Sequence, residues 1–152
     1  MRAPFQILAI PYRITSGAIL YGVLHRADHD QWQFVAGGGE DNETPLEAAQ
    51  REIFEECGVH AETVTALCSV ACVPNTCFAK CHRAHWAKDA YVIPEYSFAF
   101  ACPTEVLLSH EHTEVRWLTY REARELLQWD SNKTALYELD CRLRGVDARG
   151  CV

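Results

Sequence analysis

The chain has 152 residues, of which 49% are apolar and 23% charged. This composition predicts a single folded domain over residues 1–152 with its own hydrophobic core, and it excludes extensive disorder. The formal net charge of −7 argues against a nucleic-acid partner, because phosphate backbones are bound through an excess of Lys and Arg. An acidic protein can still bind a small polyphosphate if cations bridge the two negative partners.

Nothing in the sequence predicts contact with a membrane. No stretch reaches the roughly 20 apolar residues that a membrane-spanning helix needs. Residues 1–6 also lack the basic and apolar segments of a secretory signal. We therefore expect a cytoplasmic protein. Its oligomeric state stays open, and a homodimer is one alternative.

The N-terminal part of the chain predicts three strands. Residues 5–12 and 18–24 are apolar runs rich in β-favouring residues, and Thr15-Ser16-Gly17 between them favours a hairpin. Residues 32–35 predict a third, short strand. We expect it to end at a glycine-rich loop, residues 37–39.

A helix is predicted directly after these glycines. Thr44 and Glu47 match a capping box, and Pro45 falls at the first helical position. Gly58 supplies the stop. Four apolar residues at helical spacing predict the buried stripe of this helix: Leu46, Ala49, Ile53 and Cys57.

The second half of the chain predicts strands and then helices. The expected strands are residues 62–73, 91–102 and 115–118, and the expected helices are residues 120–127 and 131–143, the latter capped by Asp130-Ser131-Asn132. This order predicts an α+β fold, an α/β/α sandwich with a mixed β-sheet covered by helices.

Three glutamates on the first helix are the main candidates for chemistry. Glu52, Glu55 and Glu56 lie at i, i+3 and i+4, so their carboxylates emerge on one side. Their mutual repulsion would destabilise an isolated helix by ~0.2–0.5 kcal/mol per pair. A hard cation such as Mg²⁺ would convert this repulsion into binding. Taken alone, the three residues favour a solvated acidic face on a surface helix over a metal site.

The wider spacing around the glutamates is more specific. Nine positions in a 23-residue frame carry it: Gly37, Glu43, Arg51, Glu52, Ile53, Glu55, Glu56, Gly58 and Val59. This pattern resembles the Nudix box of the Nudix hydrolases, and the order of strands and helices resembles the Nudix fold. The resemblance implies an enzyme that cleaves a diphosphate linkage with divalent cations, Mg²⁺ with Mn²⁺ as an alternative.

The resemblance also implies roles for individual residues. Arg51 would pair with a neighbouring glutamate, and Glu43 would be structural. The implied metal ligands are Glu52, Glu55, Glu56 and the carbonyl of Gly37. Residues 109–118 resemble the loop and strand that supply a further carboxylate in several branches of the family. Glu111 would then be an added ligand or the general base, with Glu114 as a weaker candidate; an exposed loop charge is the alternative.

A basic loop is the candidate clamp for distal phosphates of the substrate. It carries Lys80, Arg83 and Lys88 in an otherwise acidic chain. Trp86 and Tyr91 could stack on a heteroaromatic ring. The alternatives are a mobile solvated loop and aromatic residues that belong to the core.

The cysteines raise the question of a zinc site. Cys57, Cys102 and Cys141 fall in core or near-core patterns. Four others cluster near His82, at spacings that do not match the knuckles of zinc ribbons: Cys68, Cys72, Cys77 and Cys81. We favour reduced thiols in a β-rich core over a structural zinc.

Short motifs outside the box bear on the substrate. Glu111-His112 with Arg116-Trp117-Leu118, and Ser131-Asn132-Lys133, resemble the dihydroneopterin triphosphate diphosphatase branch. The diadenosine tetraphosphate hydrolases share part of this pattern, and a nucleotide-pool cleansing enzyme is a third alternative. A nucleotide-binding sensor is the non-enzymatic alternative, although such domains would be expected to lose metal-binding glutamates.

Overall fold

The computed structural model describes residues 1–150. It has seven strands: β1 (Arg2–Thr15), β2 (Ala18–Arg26), β3 (Trp32–Gln33), β4 (Val35–Glu40), β5 (Val64–Pro74), β6 (Val92–Ala101) and β7 (His112–Leu118). Its α-helices are α1 (Pro45–Cys57), α2 (Lys80–Arg83), α3 (Tyr120–Leu126) and α4 (Asp130–Arg144). Short 3₁₀ turns lie at Asn75–Cys77 and Ala148–Gly150. No helix among residues 1–150 is long and apolar enough to span a bilayer.

Strand β1 organises a single mixed sheet. The main path runs β3-β2-β1-β6-β5, while β4 pairs with β1 and β7 pairs with β2. β1 is antiparallel to β2 and β4 but parallel to β6. The predicted mixed sheet and α+β class are therefore confirmed.

Helices cover both faces of the sheet. Side chains alternate along β1, so Ile7 and Ala9 join the core that contains Ile53 of α1. Leu8 and Ile10 join the opposite core, which contains Leu136 of α4. This alternation places α1 on one face and the C-terminal helices on the other.

Local sequence signals set the two ends of α1 as predicted, whereas one residue of its predicted buried stripe is exposed. Thr44 and Glu47 form the reciprocal capping box, and Gly58 ends the helix in a left-handed conformation at φ 67°. Leu46, however, is 42% exposed, so its predicted burial is wrong. Its neighbours in the first turn are largely exposed, because this turn projects into solvent. Ala48 is buried instead.

The predicted glycine-rich loop is a strand. Gly37 pairs with Ile7 and Gly38 with Gln6, so residues 37–39 belong to β4 and hydrogen-bond to β1. A Cβ on any of the three glycines would overlap a side chain, which is Glu52, Arg2 or Phe5 in turn. The glycines thus serve close packing against a strand rather than loop flexibility.

Two other expectations are corrected in the second half of the chain. The loop after β5 contains the 3₁₀ turn and α2, and is partly helical. Helix α4 begins at Asp130 after Trp129, without a side-chain cap. Asp130 therefore lies in the first turn rather than at the cap. Its negative charge interacts favourably with the helix dipole there.

Candidate active site

Arg51 joins α1 to the end of β4. Its guanidinium donates to Glu43 Oε2 at 3.0 Å, to Glu52 Oε1 at 2.8 Å and to the carbonyl of Gly38 at 2.8 Å. The hydrogen bond to Glu43 is the main cause that raises the pKa of Arg51. Glu43 also accepts from the Glu40 amide at 2.8 Å. The hydrogen bonds of Arg51 and Glu43 thus hold α1 against the end of β4.

The Glu52 carboxylate lies against the backbone of Gly37. A Cβ at residue 37 would overlap this carboxylate, so the absence of a side chain at Gly37 leaves the space that Glu52 occupies. The side chain of Glu52 is only 13% exposed. Burial raises its pKa, Arg51 opposes that rise, and the charges of Glu55 and Glu111 add to it.

Glu56 is the most deeply buried carboxyl of the group, at 3% exposed. Its Oε2 accepts a hydrogen bond from the Ala36 amide at 3.2 Å. Burial, together with the nearby charges of Glu52 and Glu111, raises the pKa of Glu56 to about 9. The surroundings of Glu56 therefore disfavour its charged form while no cation is bound.

The other two candidate glutamates lie at the rim. The side chain of Glu55 is 54% exposed and has a 3.3 Å ion pair with Arg51. Glu111 is exposed in the turn before β7, and its carbonyl accepts from the Ala27 amide at 2.8 Å. Its charge acts on both Glu52 and Glu56, so the distant loop does reach the helix glutamates. Glu114 instead pairs with Arg116 at 3.2 Å.

His112 lies next to this turn and is 5% exposed. Both of its ring nitrogens are buried, and neither has a hydrogen-bond partner among residues 1–150. Burial lowers the pKa of His112. Both His110 and His112 contribute to the lining of the cavity described below.

The site fits a divalent cation by the chemistry of its donors. Carboxylate and carbonyl oxygens are the ligands that Mg²⁺ and Mn²⁺ prefer, and the crowded charges of Glu52, Glu56 and Glu111 would be relieved by a positive ion. Within residues 1–150, no three acidic, His or Cys side chains already stand in a coordinating arrangement. Glu52 is turned to Arg51 and Glu56 to Ala36, so binding would require these side chains to reorient.

A cavity of about 1020 Å³ opens beside the glutamates. Gly37, Glu52, Glu55, Glu56 and Glu111 all contribute to its lining. The rest of the wall includes Arg2, Arg26, Phe78, Glu95, Trp129, Ser131 and Asn132. Its size is that of a small-molecule site, and its wall combines acidic, basic and aromatic side chains.

The residues predicted from the basic loop lie outside the lining of this cavity: Lys80, Arg83, Trp86, Lys88 and Tyr91. The loop folds against the start of β1, where Trp86 donates to the Arg2 carbonyl at 2.8 Å. Tyr91 is 70% exposed. Phe78 is the loop residue that reaches the cavity, together with Cys77.

Two cavity residues escaped the sequence interpretation. Arg2 donates to Gln6 Oε1 at 2.7 Å, while its buried Nε has no hydrogen-bond partner in the described part of the chain. Burial lowers the pKa of Arg2, and the charges of Glu52 and Glu40 oppose this. Nothing in the sequence around Arg2 signals a site. Glu95 did leave a signal, because it is a charged residue within an apolar strand.

The four clustered cysteines are exposed thiols, so their expected place in a β-rich core is wrong: Cys68, Cys72, Cys77 and Cys81. They lie on the exposed strand β5 and in the loop that follows it. Cys57 and Cys102 are buried and Cys141 is half-buried. These three positions agree with the sequence expectation.

Comparison with known proteins identifies the class. The family model for the NUDIX domain matches residues 15–139. Dihydroneopterin triphosphate diphosphatase of Escherichia coli K12 is 31% identical over 139 residues, which cover 89% of this chain and 91% of that protein. The chain belongs to the NUDIX family, and the resemblance predicted from the box is confirmed.

Two further relatives show the range of the similarity. An RNA pyrophosphohydrolase of Psychrobacter sp. PRwf-1 is 43% identical over 53 residues, or 35% of this chain. The match spans only 30% of that relative's length. A solved structure from Listeria monocytogenes, described as a NUDIX hydrolase, is 48% identical, with a TM-score of 0.83 and coverage of 94% of this chain and 96% of that one. Members of the family generally use divalent metal ions.

Proposed function

We propose that the protein is a Nudix pyrophosphohydrolase that cleaves a diphosphate linkage in a nucleoside-triphosphate-like small molecule and releases diphosphate. The observation that carries this proposal is that Glu52, Glu56 and Glu111 line one cavity of nucleotide size and interact electrostatically. The cation would be Mg²⁺, with Mn²⁺ as the alternative. Dihydroneopterin triphosphate is the favoured substrate, since the diphosphatase of E. coli matches most of the chain.

The glutamates would hold the cations, with Glu52 and Glu56 as principal ligands and Glu55, Glu111 and the Gly37 carbonyl as further ones. Bound divalent ions supply charge neutralisation for the polyphosphate and lower the pKa of a coordinated water. Arg51 orients Glu52 through their 2.8 Å hydrogen bond, and Gly37 leaves room for that carboxylate. Glu111, which lies on a turn rather than on the helix and lines the cavity, would alternatively act as the general base.

Phosphate oxygens of the substrate would meet Arg2 rather than the loop cations. Arg2 lines the cavity, and its buried Nε has no hydrogen-bond partner within residues 1–150; Arg26 lines the cavity as well. Arg26 is already paired with Asp28 at 2.6 Å, which leaves it less charge to offer. The role first expected for Lys80, Arg83 and Lys88 would be limited to steering the substrate from outside.

The test is a substrate panel with product analysis in ¹⁸O-labelled water. The panel compares dihydroneopterin triphosphate, deoxynucleoside triphosphates, diadenosine tetraphosphate and a 5′-triphosphorylated RNA under identical Mg²⁺. We expect a pterin or purine triphosphate to be cleaved with label in one defined product. A preference of about tenfold or more for diadenosine tetraphosphate, roughly 1.4 kcal/mol in transition-state binding, would overturn the substrate assignment. Preference for the RNA would favour the alternative suggested by the Psychrobacter relative.

Measuring product formation distinguishes an enzyme from a nucleotide-binding sensor. A sensor would bind these compounds saturably with Mg²⁺ and form no product. The retained glutamates support the enzyme.

We also propose that the protein works in the cytoplasm: the seven cysteines within residues 1–150 are free thiols, which is usual in reducing compartments.

A further inference from the structure

Glu95 is a half-buried acidic residue to which the proposed hydrolysis assigns no role. It lies in strand β6 and lines the cavity. Its Oε1 is buried and has no hydrogen-bond partner within residues 1–150. Burial raises the pKa of Glu95, and the Ser131 hydroxyl partly offsets this by favouring the charged form. Because an unpartnered buried oxygen is costly, a ligand that donates to it would gain correspondingly.

The sheet register connects Glu95 to the glutamates of α1. Gln6 pairs with Gly38 on one side and with Glu95 on the other. Neighbouring strands are ~4.8 Å apart, so the backbone of Glu95 lies about 10 Å from that of Gly38. Gly38 is adjacent to Gly37, against which Glu52 packs. Glu95 and the glutamates of α1 also line the same cavity, so one small ligand can contact them together.

The surroundings of Glu95 favour a planar heterocycle. Phe78 and Trp129 line the same cavity, and aromatic faces stack favourably on bases. Asn132 is 4% exposed and accepts from the Ser131 hydroxyl at 3.5 Å. The Glu95 carboxylate would repel a phosphate group. The base of the substrate, rather than its phosphates, is therefore expected to bind beside Glu95.

We propose that Glu95 is a specificity-determining residue that accepts hydrogen bonds from the ring N–H and the adjacent amino group of a 2-amino-4-oxopyrimidine edge. Guanine and pterins share this edge, and its two parallel donors match the two oxygens of a carboxylate. Adenine and cytosine place a donor beside an acceptor, while uracil and thymine offer one N–H between two carbonyls. The assignment rests on the proposed function, since the phosphates must lie at the glutamates of α1.

The experiment compares GTP with ITP, which lacks only the 2-amino group, by kcat/KM under identical Mg²⁺. We expect the protein to prefer GTP by about tenfold or more, equivalent to ~1.4 kcal/mol. Glu95→Gln should reduce the preference to about threefold or less, because an amide offers one acceptor and one donor. Glu62→Gln removes the same charge from an exposed position before β5 and should keep the preference. Dihydroneopterin triphosphate, run in parallel, separates a pterin substrate from a guanine one.

Binding measurements separate this proposal from the hydrolysis itself. GTP and ITP are titrated into Glu56→Gln protein by calorimetry, with and without Glu95→Gln. A GTP preference that depends on Glu95 supports the base pocket even if no turnover occurs, a result that would contradict only the proposed hydrolysis. The proposal is overturned if the unaltered protein has equal kcat/KM for GTP and ITP and the Glu56→Gln protein binds the two nucleotides with equal affinity. That comparison needs no variant at position 95, so a folding defect cannot obscure it.

Discussion

The carboxylate of Glu52 occupies the space that a Cβ of Gly37 would fill. Residue 37 can therefore carry no side chain while Glu52 keeps its place between the strand and Arg51. The contact joins the first and the middle part of the box, since Gly37 lies in β4 and Glu52 in α1. A backbone position and an acidic side chain thus form one unit of the site.

Gly37→Ala should reduce activity far more than stability. The added methyl group displaces the end of a flexible side chain, so the fold can adjust while the Glu52 carboxylate moves. We expect a ~10–100-fold loss of kcat/KM, the range seen when metal-ligand positioning is disturbed, with more Mg²⁺ needed for half-maximal rate. Gly150→Ala is the control, because no atom that the structure describes lies within 4 Å of a Cβ there. Equal activity of the two variants would remove Gly37 from the site.

Glu56→Gln should keep the fold and lower turnover by ~100-fold or more, since it removes a metal-binding charge at constant size. Glu55→Gln should be milder, because the side chain of Glu55 is 54% exposed at the rim. Steady-state kinetics with thermal melting of each variant provides the comparison. If Glu56→Gln keeps more than about a tenth of the rate, a loss of under ~1.4 kcal/mol, the ligand assignment is wrong.

The metal-free protein should lose stability as the pH rises from 7.0 to 8.5. The pKa of Glu56 is about 9 when folded and roughly 4.3 when unfolded, so between these values the folded state retains a proton that the unfolded state has lost. Stability from such a raised pKa is complete below the unfolded value and declines toward the folded one. The lowered pKa of His112 acts in the opposite direction, but only below its unfolded value of roughly 6.5.

Melting temperatures in chelator at pH 7.0 and 8.5 check this expectation. Glu56→Gln should flatten the decline, and Mg²⁺ should stabilise the unaltered protein more at pH 8.5, where the carboxylate is easier to ionise. An unchanged slope in Glu56→Gln would show that another group causes the decline.

The clustered thiols should react with an alkylating reagent in the folded protein, while the buried ones should not. Cys68, Cys72, Cys77 and Cys81 are exposed, whereas Cys57 and Cys102 are buried. Burial also raises the pKa of Cys57 to about 12, which suppresses its thiolate. Peptide mapping after brief labelling identifies the modified residues.

Metal analysis of protein purified without chelator completes this test. Tightly held stoichiometric zinc, with protection of the exposed cluster and unfolding when it is stripped, would contradict the expectation of free thiols.

The sequence by itself determined the features that depend on nearby residues. The capping box of Thr44 and Glu47 spans three residues, and the positions of Glu52, Glu55 and Glu56 follow from the period of a helix. The same local logic predicted the hairpin at Ser16 and Gly17, where positive φ angles of 50° and 80° reverse the chain. Such features need no knowledge of the partners across the sheet.

Only the tertiary structure decided what surrounds the glutamates. Glycine-rich segments favour loops locally, but pairing of Gly37 with Ile7 of β1 makes this one a strand. Arg2 and Glu95 enter the cavity because β1 pairs with both β4 and β6, which joins residues far apart in sequence. No local periodicity encodes such pairing, since register depends on contacts between distant strands. The basic loop likewise packs on the start of β1 instead of the cavity, because Trp86 finds its hydrogen-bond partner at the Arg2 carbonyl.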